Sequence, residues 1–465
     1  MKKLLLILLC ASFASTGIAQ YAHNNISLLS NFDDPSVLAE SVYGIRYQGC
    51  WGWKNDVDGR EYAIIGSTFG AYFVDVTDPV NPVQRDYVAG THQYCIWHEI
   101  QSYGKYCYIL SDDAPNNSFQ IVDMSYLPDS VHKVYDGTSL FVHGHALYID
   151  GDKLYVSIPR GTTAQSHSMA VYSLANPELP VFLRGLEQDY PSISAVHDMY
   201  VVNDTVYASA SYDGLHIYKY NTATNHFIQL GALPGSSNDY NHSSYLSKDH
   251  KTLYVCIEVP SGTPAQVVDV SNIASPVLLS TFTSNVGATP HNPYVIDDML
   301  VLADYQDGVY TFDISTPHSP TQSGFFDTHP QNISGYDNPA YAGCWGAYAD
   351  LPSGILLASD MQKGLFVLDK NQALGVHENN TGNFNLVVYP NPSKGLININ
   401  LNGELNQSVQ VSVYSADGKI VFEKTFQPSA MNSFQVDMKD FAAGLYMVQA
   451  ISAQQTLVRR ISVIK

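Results

Sequence analysis

Five histidines, His98, His145, His197, His242 and His291, each open a short run of strand-forming residues. A ten-residue step leads from His98, His145, His197 and His291 to Tyr108, Tyr155, Tyr207 and Val301, inside the next apolar run; His242 reaches Tyr254 in twelve. Trp51 and Trp345 hold the matching points of two further runs, in the paired sequences Gly49-Cys50-Trp51-Gly52 and Gly343-Cys344-Trp345-Gly346. Acidic residues follow the second runs: Asp112-Asp113, Asp213, Glu258, Asp304, Asp307 and Asp360. Imidazoles and carboxylates gathered at one place are a donor set for a divalent metal or a polar ligand. The expected ligand-binding residues are His98, His145, His197, His242, His291, Asp304 and Asp360, with His197, His242 and His291 as metal candidates. A blander reading competes. Polar groups repeated at strand starts can simply bond the backbone of a neighbouring sheet, and acidic residues after strands can cap turns. No GxSxG, HExxH or P-loop occurs. The sequence therefore favours a secreted or cell-surface binding protein over an enzyme; the rival is a metal-dependent extracellular hydrolase or lyase, with its histidine-lined site at one mouth of the fold's central channel.

Such a gathering needs a fold that brings equivalent strand ends together. The stretch Pro290–Pro320 contains three short runs rich in Val, Leu, Tyr and Phe, broken by Asp297-Asp298 and by Tyr305-Gln306-Asp307-Gly308, the pattern of antiparallel strands. Its third run, apolar residues leading to Asp313-Ile314-Ser315, has echoes along the chain. Aligned positions 75, 123, 173, 219, 269, 313 and 369 fall 44 to 56 residues apart. That period fits four-stranded propeller blades. Copy seven stops after its third run, and Ile26–Phe32 resembles the missing outer strand. The expected fold is all-β: a seven-bladed β-propeller over residues 20–370, closed by its N-terminal strand. Closure removes an edge that would otherwise invite aggregation.

The ends differ from this body. Lys2-Lys3, the apolar run Leu4–Leu9 and Gly17-Ile18-Ala19 read as a signal peptide, residues 1–19, cleaved near Ala19. No later apolar run is long enough to span a bilayer. Residues 371–385 read as a polar linker, and 386–465 as a small β-sandwich of short strands. The formal charge is −20, although residues 386–465 carry seven Lys/Arg against five Asp/Glu, so the acidity lies in the body. Phosphate backbones would be repelled, which argues against nucleic acid as a partner. Five cysteines lie beyond Ala19, an odd number at irregular spacing that matches neither a disulfide framework nor a CxxC metal site. Cys50 and Cys344 hold equivalent positions, so a disulfide and two buried thiols are both open readings. Asp56-Val57-Asp58-Gly59-x-Glu61 resembles part of a calcium loop but sits where a hairpin turn is expected.

Two resemblances accompany these patterns. Tyr389-Pro390-Asn391-Pro392-x-x-Gly395, Tyr414-x-x-x-Gly418-Lys419, Gly444-Leu445-Tyr446 and the basic last strand ending in Lys465 resemble the type A sorting domain of the type IX secretion system of the Bacteroidota. This implies that the secretion machinery is a partner through residues 386–465, with the protein secreted or held on the outer-membrane surface. Val74-Asp75-Val76-Thr77-Asp78-Pro79, Ile121-Val122-Asp123, His291-Asn292-Pro293 and Asp313-Ile314-Ser315 resemble the LVIVD-type repeats of the choice-of-anchor B family. Ser173 and Lys219 depart from that pattern, standing where it has Asp. The resemblance implies a propeller fold and an unknown extracellular ligand rather than a defined reaction.

Overall fold

The computed structural model describes residues 21–113, 117–161, 166–236, 238–330, 341–370, 379–380, 384–403, 408–415, 419–427, 433–452 and 455–464. The signal-peptide expectation, most of the linker, the turn at 416–418 and Lys465 lie outside these residues. Within the expected linker, Asn379–Asn380 pairs with Gln455-Thr456, and a strand starts at Phe384. Strand is therefore present where the polar composition suggested none.

The described chain is all-β apart from one 3-10 turn at Leu186–Gln188. Seven antiparallel sheets come from residues 23–369, six of four strands and one of five. We number them by their first strands: Tyr47–Lys54 (sheet one), His98–Tyr103 (two), Leu147–Asp150 (three), Asp198–Val202 (four), Tyr240–Leu246 (five), Asn292–Ile296 (six) and Cys344–Tyr348 (seven). These first strands touch their neighbours in cyclic order, and that of sheet seven touches that of sheet one. Ser27–Phe32 forms the outer strand of sheet seven, pairing antiparallel with Gly364–Asp369. His23–Asn24 adds a fifth strand to sheet six.

The core lies between sheets. Along the second strand of sheet one, Tyr62 and Ile64 pack with Ile100, Cys107 and Ile109 of sheet two. Ala63 and Ile65 point the other way, toward Tyr348 and Leu357 of sheet seven. Side chains alternate faces along a strand, so burying both faces requires unbroken apolar runs such as Tyr62–Ile65. The same sharing links every adjacent pair of sheets. A sheet taken alone would expose both of its apolar faces, at about 1.5–3 kcal/mol for each large side chain returned to water.

The recurring Asp at the end of the third strand has a structural task. Asp75, Asp123, Asp269 and Asp313 each accept the backbone N–H two residues on, from Thr77, Ser125, Ser271 and Ser315, at 2.8–3.1 Å. This fixes the turn into the outer strand. Where the motif departs, Ser173 Oγ accepts from Ala175 instead, at 3.2 Å. The Asp56–Glu61 stretch is likewise a hairpin connection, in which Asn55 Oδ1 accepts from Val57 and Asp58 Oδ1 from Arg60.

The described residues between 379 and 463 form a five-stranded and a three-stranded sheet around one shared core that includes Leu386, Ile399, Val411 and Val448. Arg459 ties this unit to sheet seven through a buried 2.6 Å ion pair with Asp369. No helix among the described residues is long and apolar enough to cross a membrane.

Candidate functional site

The first strands carry the site because they line the axis around which the sheets are arranged. The imidazoles of His145, His197, His242 and His291 follow one another around that axis, with ring centroids 4.0, 4.3 and 4.3 Å apart. Trp345 continues the arc at 4.4 Å and Trp97 stacks on it at 4.9 Å. The seventh member is not Trp51. Gln48 of sheet one takes that place, its Oε1 2.9 Å from His98 Nδ1. Gly49 and Gly66 allow this approach: a Cβ on either would fall within 2.7 Å of His98 atoms.

Hydrogen bonds fix several tautomers. His197 Nδ1 donates to the His242 carbonyl at 3.0 Å, and His291 Nδ1 to the Trp345 carbonyl at 2.6 Å. A carbonyl only accepts, so Nδ1 carries the proton and Nε2 keeps a free lone pair. His145 Nδ1 sits 2.6 Å from Asp112 Oδ2. The backbone bonds expected of a spacer are therefore present, but they occupy only one nitrogen of each ring. His291 Nε2 is buried and has no hydrogen-bond partner.

Burial dominates the electrostatics. It pushes His242 down to about 4 against the pull of Glu258, and His98 to about 4 against Asp113. Burial and then neighbouring imidazoles hold His197 and His291 well below the usual range. At His145 burial also opposes charge, but Asp112, Glu99 and Asp198 outweigh it and raise its pKa. Neutral imidazoles thus adjoin one that is readily charged.

Glu258, at the end of the second strand of sheet five, faces this arc. Its Oε2 lies 3.9 Å from His242 Nε2, while its Oε1 accepts the Tyr305 hydroxyl at 2.6 Å. Donor atoms of His197, His242 and Glu258 all fall within 4.8 Å of one another, so Glu258 stands in the group where His291 was expected. Aromatic side chains flank the arc: Tyr240 lies 5.1 Å from His197 with Tyr212 beyond it, and Trp97, stacked on Trp345, is joined by Tyr43 and Tyr341. Trp97 (φ 62°) and Tyr305 (φ 38°) hold left-handed backbone conformations that bulky residues seldom adopt.

Neither expected carboxylate is in that converging group. Asp360 is spent on its own surroundings, accepting from Thr328 Oγ1, Gln362 N and Lys363 N at 2.7–2.9 Å. Asp304 is buried, and burial followed by the charge of Asp307 pushes it up to about 7 against a hydrogen bond from Ser284. Cys50 and Cys344 are free thiols, each directed at the Gly346 carbonyl.

A second tier of residues went unread in the sequence. Three residues after each histidine of sheets three to six stand Tyr148, Tyr200, Tyr245 and Tyr294; Tyr348 and Trp51 complete the series, with successive centroids 4.5–5.4 Å apart. Between the tiers is a cavity of about 120 Å³ whose lining includes Glu99, Asp198 and Asn292. Burial and then Asp198 push Glu99 up to about 8, and burial raises Asp198 to about 6. The constant three-residue offset was the available signal. Anchoring sheet one on Trp51 rather than Gln48 concealed it.

At the other end of the chain, Asn391 of the Tyr389–Pro392 sequence bridges two elements. It accepts from Ser462 N at 2.7 Å and donates to the Ser353 carbonyl at 3.2 Å. Residues 387–465 match the secretion system C-terminal sorting domain. The sorting domain is of the type IX kind, so the protein is exported, to the cell surface or beyond, and the secretion machinery is a partner. No curated protein matches the chain. Among solved structures it resembles a periplasmic gluconolactonase from Pseudomonas aeruginosa, with 10% identity, TM-score 0.47, and 80% of this chain and 96% of that chain covered. It also resembles YCF48 from Cyanidioschyzon merolae, with 8% identity, TM-score 0.48, and 73% and 98% covered.

Proposed function

We propose that this protein is a seven-bladed β-propeller, sealed by Ser27–Phe32 and followed by a β-sandwich sorting tail, whose work outside the cell is to bind a ligand at the histidine-lined mouth. The cyclic contact of first strands and the sharing of every core between adjacent sheets support the closed ring. The choice-of-anchor B resemblance belongs to the same reading. One observation carries the functional part: four imidazoles follow one another at 4.0–4.3 Å, one of them with a buried, unpartnered nitrogen, between aromatic side chains. Aromatic faces and polar groups converging on a concavity are how small extracellular ligands are held.

The test is a glycan and peptide panel on the immobilised full chain, comparing wild type with Trp97→Ala. A ligand held at the mouth loses at least about tenfold in affinity when the rim tryptophan is truncated. Ligands that bind the variant equally well would place recognition elsewhere. A second reading, a metal-dependent hydrolase or lyase, is favoured only by the convergence of His197, His242 and Glu258. It predicts turnover of a polymer in the same panel.

A further inference from the structure

We propose that the mouth holds one divalent transition-metal ion of the zinc class, ligated by His197 Nε2, His242 Nε2 and one carboxylate oxygen of Glu258. This rests on the binding reading above and names the chemistry of its ligand. One donor atom from each of the three residues lies within 4.8 Å of the other two, and the His242 Nε2–Glu258 Oε2 separation is 3.9 Å. Bonds of about 2.1 Å in a tetrahedral site set ligand atoms about 3.4 Å apart. The group therefore needs to close by roughly 1 Å, within the reach of small side-chain rotations.

The surrounding bonds are those that orient metal ligands. His197 donates Nδ1–H to a backbone carbonyl, which leaves its Nε2 lone pair free and directed. Glu258 has one oxygen tied by the Tyr305 hydroxyl and presents the other to His242. An independent observation points the same way. His242 is buried and has a backbone hydrogen bond of its own, to His291, repeating the arrangement of His197 with His242 one sheet earlier and leaving its other nitrogen for a ligand. Two nitrogens among three donors argue against calcium and magnesium, which take oxygen ligands. Three protein ligands leave a fourth position for water or for a group on the bound ligand.

The experiment is calorimetric titration of the chelator-treated full chain with zinc chloride, with circular dichroism as a check on folding. Wild type is expected to bind one ion per chain. His242→Ala should weaken binding by at least about a hundredfold, and Tyr305→Phe, which keeps every ligand, by about 10- to 100-fold. No binding by wild type, or equal affinity in His242→Ala and Glu258→Gln, overturns the proposal. If zinc fails to bind while Trp97-dependent ligands persist in the panel, the metal is wrong and the mouth stands. If zinc binds at these residues and no ligand in the panel depends on Trp97, the metal site stands without the wider reading.

Discussion

The Tyr305 hydroxyl donates to Glu258 Oε1 at 2.6 Å while its ring packs on His291 at 4.3 Å. One side chain thereby joins the carboxylate of sheet five to the histidine of sheet six. Its backbone is held at φ 38°, with its carbonyl accepting from both Gly308 and Cys344. Strain of this kind persists only where surrounding bonds over-determine it. Tyr305→Phe keeps the ring and removes the donor. Losing a hydrogen bond to a charged group should cost about 1.5–3 kcal/mol in urea unfolding. A variant as stable as wild type would show that this bond holds nothing.

Gln48 gives a second test, at the junction of sheets one and two. It supplies the acceptor for His98 Nδ1, and both side chains are buried. Gln48→Leu leaves that imidazole N–H unpaired, at about 1–3 kcal/mol. Gln48→Glu keeps an acceptor and adds charge, so the His98 pKa should rise from about 4, read by imidazole proton chemical shifts. An unchanged titration would separate the two side chains.

Glu61 predicts a pH dependence. It is buried between sheets one and seven, with Oε1 accepting Ser353 N–H at 2.8 Å and Oε2 unpartnered. Burial pushes its pKa up to about 7, against the Ser353 bond. A carboxyl raised in the folded state keeps its proton after the unfolded chain has lost its own. Stability therefore declines as pH rises from about 4.5 to about 7, and the penalty is complete above that. Glu61→Gln should stabilise the protein by roughly 2–4 kcal/mol at pH 8 and have little effect at pH 4. Equal effects at both pH values would contradict this account.

The outer strand of sheet seven comes from a segment far away in sequence, on which the proposed ring depends. Ser27–Phe32 covers Gly364–Asp369, and Phe32 meets Tyr72 of sheet one at 5.4 Å. Deleting residues 21–32 should expose that edge, lower the unfolding midpoint and promote self-association through it. Size-exclusion chromatography and thermal unfolding of the deletion variant check this; a monomer of unchanged stability would deny the strand its sealing role.

Much of this was legible because repetition was visible. The Tyr62–Ile65 type of run, the Asp75–Thr77 type of turn and the five histidines recur at intervals that only equivalent strands produce. Glu258 was visible as an acid at the end of a second strand, but nothing in its spacing set it above Asp360, which proves to be a turn acceptor. Glu99 and Asp198 immediately follow histidines, and bulges such as the one at Asn241/Ser243 decouple alternation from facing. Which side of a first strand meets the axis was therefore not readable. The Tyr148–Tyr348 tier looked like ordinary packing because tyrosine also fills the cores between sheets.

The central claim is that the histidine tier exists for binding and not to hold the sheets together. His242→Leu tests it most directly, by the unfolding free energy of the full chain in urea near neutral pH. An imidazole kept for a ligand is a liability when buried, so a leucine of similar size should leave stability equal or higher. A loss of more than about 2 kcal/mol would mean that His242 is structural and would contradict the account.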